Sequence, residues 1–313
     1  MNAPMNGPAS RATNRAMRRL CAQALGLAAL GLCGAVWAQG AQKAHPAAAG
    51  AVAAAPEPDR SPLVKVADGR MLAPDIARIV NHGELLVAML SIDNPPFFSV
   101  KNGDLVGTDI DLAKSIASEL GVSVRFDRSY KTFDSVVEAV AVGKADVAVS
   151  RLGRTLKRAQ MVHFSISYIK LGHAMLINRM RFAQLAGDRT LPQVVRDYTG
   201  TLGVMAGSSW EEFGRRNFPK AKLVKYPGWP ELIEATKKGE VTAAYRDEME
   251  VVQLLREEPG LALTLRTVTF SDLEAPLSVI VGIRDLTLLS FVNELIAQRP
   301  VQPTAKSVLR TFK

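Results

Sequence analysis

The sequence predicts an α/β protein made of two similar lobes joined by a two-strand hinge, on three observations. Strand-length apolar runs alternate with amphipathic helix patterns from Gly83 onward. A helix-plus-strand unit recurs at a shift of 96 residues. Leu, Val, Ile and Ala carry the apolar content while aromatic residues make up 6% of 313, which suits α/β layers better than an aromatic-rich β-sandwich. With 48% hydrophobic and 22% charged residues, disordered, collagenous and coiled-coil chains are excluded.

Residues 1–38 read as a secretory signal peptide. Arg11, Arg15, Arg18 and Arg19 form a basic region, an uncharged stretch runs from Leu20 to Trp37, and Val36-Trp37-Ala38 offers a cleavage site before Gln39. Gln23, Gly26, Gly31 and Gly34 break up the apolar stretch, which disfavours a permanent anchor. Bulky Leu20 and Leu32 before Cys21 and Cys33 disfavour a lipid anchor. Both cysteines leave with the signal, so disulfides, thiolate catalysis and cysteine-held metal fall together. Without the four arginines of that segment, 35 basic residues face 30 acidic ones over 275 residues, and a net charge of +5 calls for no nucleic-acid partner. Residues 39–61 are Ala- and Pro-rich, offer nothing to pack, and read as a disordered linker.

From Pro62 the elements follow in order. Residues 74–81 form a helix stopped near Gly83, and Leu85 to Leu90 is a run of buried-strand length. Ile110, Ala113, Ile116, Ala117 and Leu120 share one face of a helix over 109–120, ended by Gly121. Val122, Val124 and Phe126 alternate as a half-buried strand; a helix over 134–142, Gly143 and a strand over 146–150 complete a βαβαβ order and imply a parallel sheet. The repeat lays Phe133 on Trp229, Val136 on Leu232, Glu138 on Glu234, Ala139 on Ala235 and Gly143 on Gly239, with a second strand over 241–245. Strands over 173–178, 202–206 and 276–283 and helices over 286–298 and 303–311 complete the pattern. If the last strand rejoins the first lobe, the chain crosses twice. Lobe 1 is then 62–171 with 277–313, and lobe 2 is 172–276.

In open parallel sheets, ligands sit at the carboxyl ends of strands. Ser150 and the residues after it, and Arg246-Asp247, fall at such positions on opposing lobes. Thr155 is a plausible N-cap that sets Arg158 in a first helical turn, where a guanidinium and unpaired N–H groups can hold a carboxylate. Ser208 with Glu211, or Ser209 with Glu212, has capping-box spacing at a second helix start. Each feature alone has a plainer reading: a surface salt bridge for Arg158, a cap for Asp247, core for Phe133. Together they offer a carboxylate site (Arg158 with Ser209), a cation site (Asp247) and a flat apolar wall (Phe133), which match a zwitterionic α-amino acid.

At these residues the sequence resembles the type II periplasmic solute-binding proteins for polar amino acids, family 3 of the bacterial extracellular solute-binding proteins. The motifs are Gly103-Asp104-Leu105-Val106-Gly107-Thr108-Asp109-Ile110-Asp111-Leu112-Ala113, then Gly143-Lys144-Ala145-Asp146-Val147-Ala148-Val149-Ser150 with Thr155 and Arg158, and His163-Phe164-Ser165-Ile166-Ser167-Tyr168. The resemblance runs from about Gly83 to about Arg284. It implies a two-lobed periplasmic-binding-protein type II fold, each lobe a mixed sheet flanked by helices. It also implies Arg158 on the ligand carboxylate, Asp247 on the α-ammonium, an aromatic at Phe133 stacked on the ligand, and Ser150, Gly153, Ser208 and Ser209 as further pocket positions. Ser91 to Phe98 match the first pocket loop, and which side chain is recognised depends on Ser91, Asp93, Asn94, Arg151 and Met205.

Two departures bear on the site. Arg151 and Gly153 stand where the family usually has a small residue and a hydroxyl residue. Arg151 either points into the cleft or, as part of a basic face with Arg154 and Lys157, lies in solvent; the solvated face is expected. The expected function is that of a periplasmic receptor, a monomer, that closes on a free amino acid and delivers it to an ABC permease in the inner membrane. The alternatives are a cyclohexadienyl-dehydratase-like enzyme on the same scaffold, for which Glu138, Asp93 and Glu248 make an unconvincing general acid, and a binding-only sensor. Asp109 and Asp111 read as cap and dipole partners. His45, His82, His163 and His173 lack ligand spacing, so neither a metal nor another cofactor is expected.

Overall fold

A computed structural model describes residues 62–301 and 303–311. The expected signal segment and linker lie outside these residues. The chain opens with a hairpin of β1 (Val64–Lys65) and β2 (Met71–Leu72), followed by α1 (Pro74–His82) and β3 (Glu84–Leu90). A second hairpin, β4 (Ser99–Lys101) and β5 (Asp104–Val106), leads into α2 (Thr108–Leu120), β6 (Ser123–Tyr130), α3 (Phe133–Ala141) and β7 (Val147–Ala148). After β8 (Val162–Phe164), the long β9 (Ile169–Asn178) enters a second sheet. There α4 (Arg179–Ala186) and α5 (Leu191–Arg196) precede β10 (Thr201–Met205), α6 (Trp210–Asn217), β11 (Lys222–Tyr226), α7 (Trp229–Lys238), β12 (Ala243–Asp247) and α8 (Glu248–Glu257). β13 (Leu265–Leu277) runs back, and β14 (Ile280–Gly282), α9 (Leu286–Ala297) and α10 (Ala305–Thr311) follow.

The strand orders are β6-β3-β7-β14-β8 and β11-β10-β12-β9-β13. In each sheet the first three strands run parallel and the remaining two are attached antiparallel. The 96-residue repeat is visible here, because α3 and α7 begin on its paired aromatics, Phe133 and Trp229, and each leads to the third strand of its sheet. The sheets are joined by 165–168 on the way out and by 278–279 on the way back, with β9 and β13 paired antiparallel beside both connections.

Burial follows the sequence periods. Met175 and Ile177 of β9 pack into one core cluster while Ala174 and Leu176 face another, so the second sheet is covered on both faces. In the first lobe, Ile110, Ala113, Ile116, Ala117 and Leu120 all lie in the core as their helical spacing predicts. A fully buried side chain of this kind contributes roughly 2 kcal/mol. Gly121 ends α2 at φ 75, the left-handed conformation that stops a helix cheaply without a Cβ.

Two predicted strands are shorter than expected. Of residues 146–150 only Val147 and Ala148 pair: Asp146 turns its carboxylate to the Leu86 N–H (2.8 Å) and to Arg78, and the Ser150 hydroxyl accepts the Leu90 N–H (3.0 Å). Residues 276–283 split at Ser278 and Val279, where the Val279 N–H donates to the Ser165 hydroxyl (2.9 Å) and not to a neighbouring strand. Side chains take over backbone partners at both places, which frees the chain to turn toward the space between the sheets.

Candidate functional site

The carboxyl ends of β3 and β7 face those of β10 and β12, and the loops after them meet. The Asp134 N–H donates to Gly207 O at 2.9 Å, joining the start of α3 to the turn after β10. The Leu156 and Lys157 N–H groups, the unpaired donors predicted as an anion site, reach the two carboxylate oxygens of Glu212 at 2.8 and 3.1 Å. The helix expected there is a single 3-10 turn, Arg158–Gln160, with Lys157 and not Thr155 at its N-cap, although the Thr155 hydroxyl accepts the Arg158 N–H at 3.2 Å.

Two cavities lie in this interlobe space and share Phe133 and Arg246. The inner one, of about 20 Å³, is also lined by Arg151, Arg158, Ser209 and Asp247, and has room for about one water. The outer one, of about 500 Å³, has Asp93, Asn94, Lys131, Met205, Trp229 and Glu250 among its walls. That volume lies within the size range of small-molecule sites.

Arg151 projects into the cleft, and the expected solvated face is corrected at this residue. Its side chain is 4% exposed, with Nη2 2.5 Å from Asp247 Oδ1 and Nη1 donating to Glu250 and to Asn94 Oδ1. The guanidinium lies 4.7 Å from the centre of the Phe97 ring. The reason is charge. The buried carboxylate of Asp247 and the half-buried one of Glu250 need a partner, and solvent offers Arg151 nothing comparable. Lys157 stays exposed as expected, holding Asp134 at 2.8 Å.

Arg158 is buried as well, and three of its five N–H donors are taken. Nε and Nη2 meet Asp134 Oδ1 at 3.0 and 2.8 Å, and Nη1 donates to Gly153 O at 2.9 Å. Burial lowers the Arg158 pKa, against the pull of Asp134. Burial alone would raise Asp134, but Lys157 and Arg158 hold its carboxyl below the usual range. Burial would likewise raise Glu250, and the Arg246 and Arg151 charges more than offset it, holding that carboxyl well below the usual range.

The other predicted residues divide. Asp247 is 2% exposed and caps α8, its Oδ1 accepting the Glu250 N–H at 3.1 Å. Phe133 opens α3 and walls both cavities. Ser209 lines the inner cavity, and the Ser208 hydroxyl donates to Met205 O at 2.7 Å. Neither predicted capping box forms: Ser209 makes no side-chain cap, and Glu211 turns to the Gly207 N–H. Ser150 is fully buried, and neither it nor Ser91 lines either cavity. Asp93 reaches the outer cavity while held by Arg128 at 2.8 Å. Asp109 stands in the first turn of α2, as expected, but makes no side-chain cap. It is wholly buried, accepts the Arg151 N–H at 2.6 Å, and has its pKa pushed by burial to about 7.

Sequence reasoning passed over Asp134 and Glu250, took Glu212 for a cap partner and Trp229 for a repeat partner only, and placed Arg246 at a ligand position without a role. Two of these carried a signal: Glu250 stands three residues after the cap Asp247, and Trp229 is the repeat partner of Phe133.

Two α/β lobes with a charged cleft between the carboxyl ends of their strands define a type II periplasmic solute-binding fold. The model of the bacterial extracellular solute-binding proteins, family 3, matches residues 86–239, and the chain belongs to this family. It is 25% identical over 184 residues to ABC transporter arginine-binding protein 1 of Escherichia coli, covering 58% of this chain and 70% of that one. It is 25% identical over 185 residues to cyclohexadienyl dehydratase of Pseudomonas aeruginosa, covering 59% and 66%. A solved amino acid ABC transporter substrate-binding protein of Streptococcus pneumoniae, bound to L-arginine, superposes with a TM-score of 0.58 at 26% identity, covering 74% of this chain and 94% of that one.

Proposed function

We propose that the protein is a periplasmic receptor that captures a free amino acid between its lobes and delivers it to an ABC permease of the inner membrane. The observation that carries this reading is the set of countercharges facing one another across the cleft: buried Arg158 and Arg151 on one lobe, buried Asp247 and half-buried Glu250 on the other. A zwitterion needs both signs at once, since burying either charge without a partner costs several kcal/mol. The solute enters the outer cavity against Phe133 and Trp229, its carboxylate directed to Arg158 and its ammonium to Asp247. Contacts that span both lobes then favour the closed form.

Non-covalent capture is also favoured over the dehydratase reading. Among the described residues, the carboxyl groups with raised pKa values are Asp109 and Asp285, and neither lines a cleft cavity. A general acid must reach the bond it protonates. Residues 1–38 direct the chain across the inner membrane and are removed, and the mature receptor acts as a monomer. Among the described residues, no helix is long and apolar enough to cross a membrane.

Calorimetry with the twenty amino acids tests the reading. A basic or polar amino acid is expected to bind, and turnover of prephenate with no amino-acid binding would overturn it.

A further inference from the structure

The two departures from the family pattern, Arg151 and Gly153, share one geometric consequence. Arg151 belongs to the first lobe, yet its guanidinium is held by Asp247 and Glu250 of the second. Its backbone sits at φ 53, a left-handed conformation that disfavours a long side chain. Several contacts outweigh that strain: the N–H on Asp109, the ring of Phe97 beneath the guanidinium, and Asn94 Oδ1 beside it. Gly153 brings the lobes close in the same region. A Cβ there would meet Ser209 Oγ at 2.6 Å, so the hydroxyl residue usual at this position would hold α6 away. Arg151 therefore fills the space that Gly153 lets close, and an inner cavity of about 20 Å³ remains.

Acidic partners, an amide oxygen and an aromatic face around a buried guanidinium make a cation site. We propose that Arg151 is a tethered occupant of this site: it takes, on Asp247 and Glu250, the place of a solute's positive group, latches the lobes together, and must be displaced before a solute can bind there. The latch stands on the geometry alone; the competition with a solute rests on the receptor reading. A latch occupied nine-tenths of the time lowers apparent affinity about tenfold, so Arg151 sets both the affinity threshold and the class of solute, favouring those with a strong cation.

Arg151→Gly removes the latch and suits the left-handed backbone. Small-angle scattering in buffer is expected to give a larger radius of gyration for this variant than for the parent, and millimolar methylguanidinium, an untethered copy of the side chain, is expected to reclose it. Calorimetry is expected to show amino-acid binding tightened about tenfold. Should Arg151→Gly fold poorly by circular dichroism, Glu250→Gln breaks the same bridge from the other lobe and is expected to open the protein likewise. A variant that stays as compact as the parent, or one that opens but ignores methylguanidinium, overturns the proposal. Opening and reclosing with no amino acid binding either protein upholds the latch and refutes the receptor reading.

Discussion

Arg158 and Asp247 were legible in the sequence because each follows a strand whose end can be read from its apolar run. Their partners were not. Asp134 and Glu250 are ordinary first-turn residues of α3 and α8; Asp134 meets Arg158 within the first lobe, and only the meeting of the lobes aims Glu250 at Arg151. Arg151 reads as one of three residues of a basic face for the same reason, since its two carboxylate partners lie about a hundred residues away in the chain. Arg158→Met is expected to abolish amino-acid binding in calorimetry while the protein still folds. The loss in urea-denaturation stability should be about 2 kcal/mol, because Lys157 remains on Asp134. Binding as tight as the parent's would show that the carboxylate lies elsewhere.

The elements themselves were readable in order, because periods of two and 3.6 survive in single strands and helices. Where side chains replace backbone partners, the reading overshot: the strand after Lys144 and the one after Pro276 both lose residues to hydroxyl and carboxylate contacts. The cap at Asn178 also escaped notice. Asn178 caps α4 through Oδ1, and its Nδ2 donates to the carbonyls of Thr236 and Lys237 at the end of α7. Asn178→Ala is expected to cost about 2 kcal/mol of stability in denaturant unfolding, with amino-acid affinity unchanged. Gly153→Ser should act in the opposite way. It forces Ser209 outward, so an enlarged radius of gyration with little change in stability is the expected outcome.

Across the molecule, two buried titratable groups give stability opposite slopes with pH. His173 is enclosed by Trp210, Phe213 and Tyr245, and burial, followed by the Arg216 charge, lowers its pKa from 6.5 to about 4. Its neutral form is the folded one, so its contribution is complete above pH 6.5 and is lost as pH falls to about 4, amounting to about 3 kcal/mol. Asp109, raised by burial to about 7, favours folding below its unfolded value of 3.8, and that contribution is lost as pH rises through 7. Thermal melts of His173→Phe against the parent between pH 4 and 7 are expected to show the gap in favour of the variant widening toward acid; parallel curves would show that His173 charges freely in the fold. The two-lobed plan was legible from the repeat and the paired crossings, whereas closure onto Arg151 was not, because no period in the chain encodes how far two lobes approach.

The clamp itself is most directly tested by calorimetry of the purified protein with L-amino acids, run beside Asp247→Asn, which keeps a capping side chain on α8 but removes the charge. Saturable binding of at least one amino acid by the parent and its loss in the variant are the predicted result. Undiminished binding in Asp247→Asn would contradict the assignment of the ammonium to the second lobe, and the absence of any binding by the parent would contradict amino-acid capture altogether.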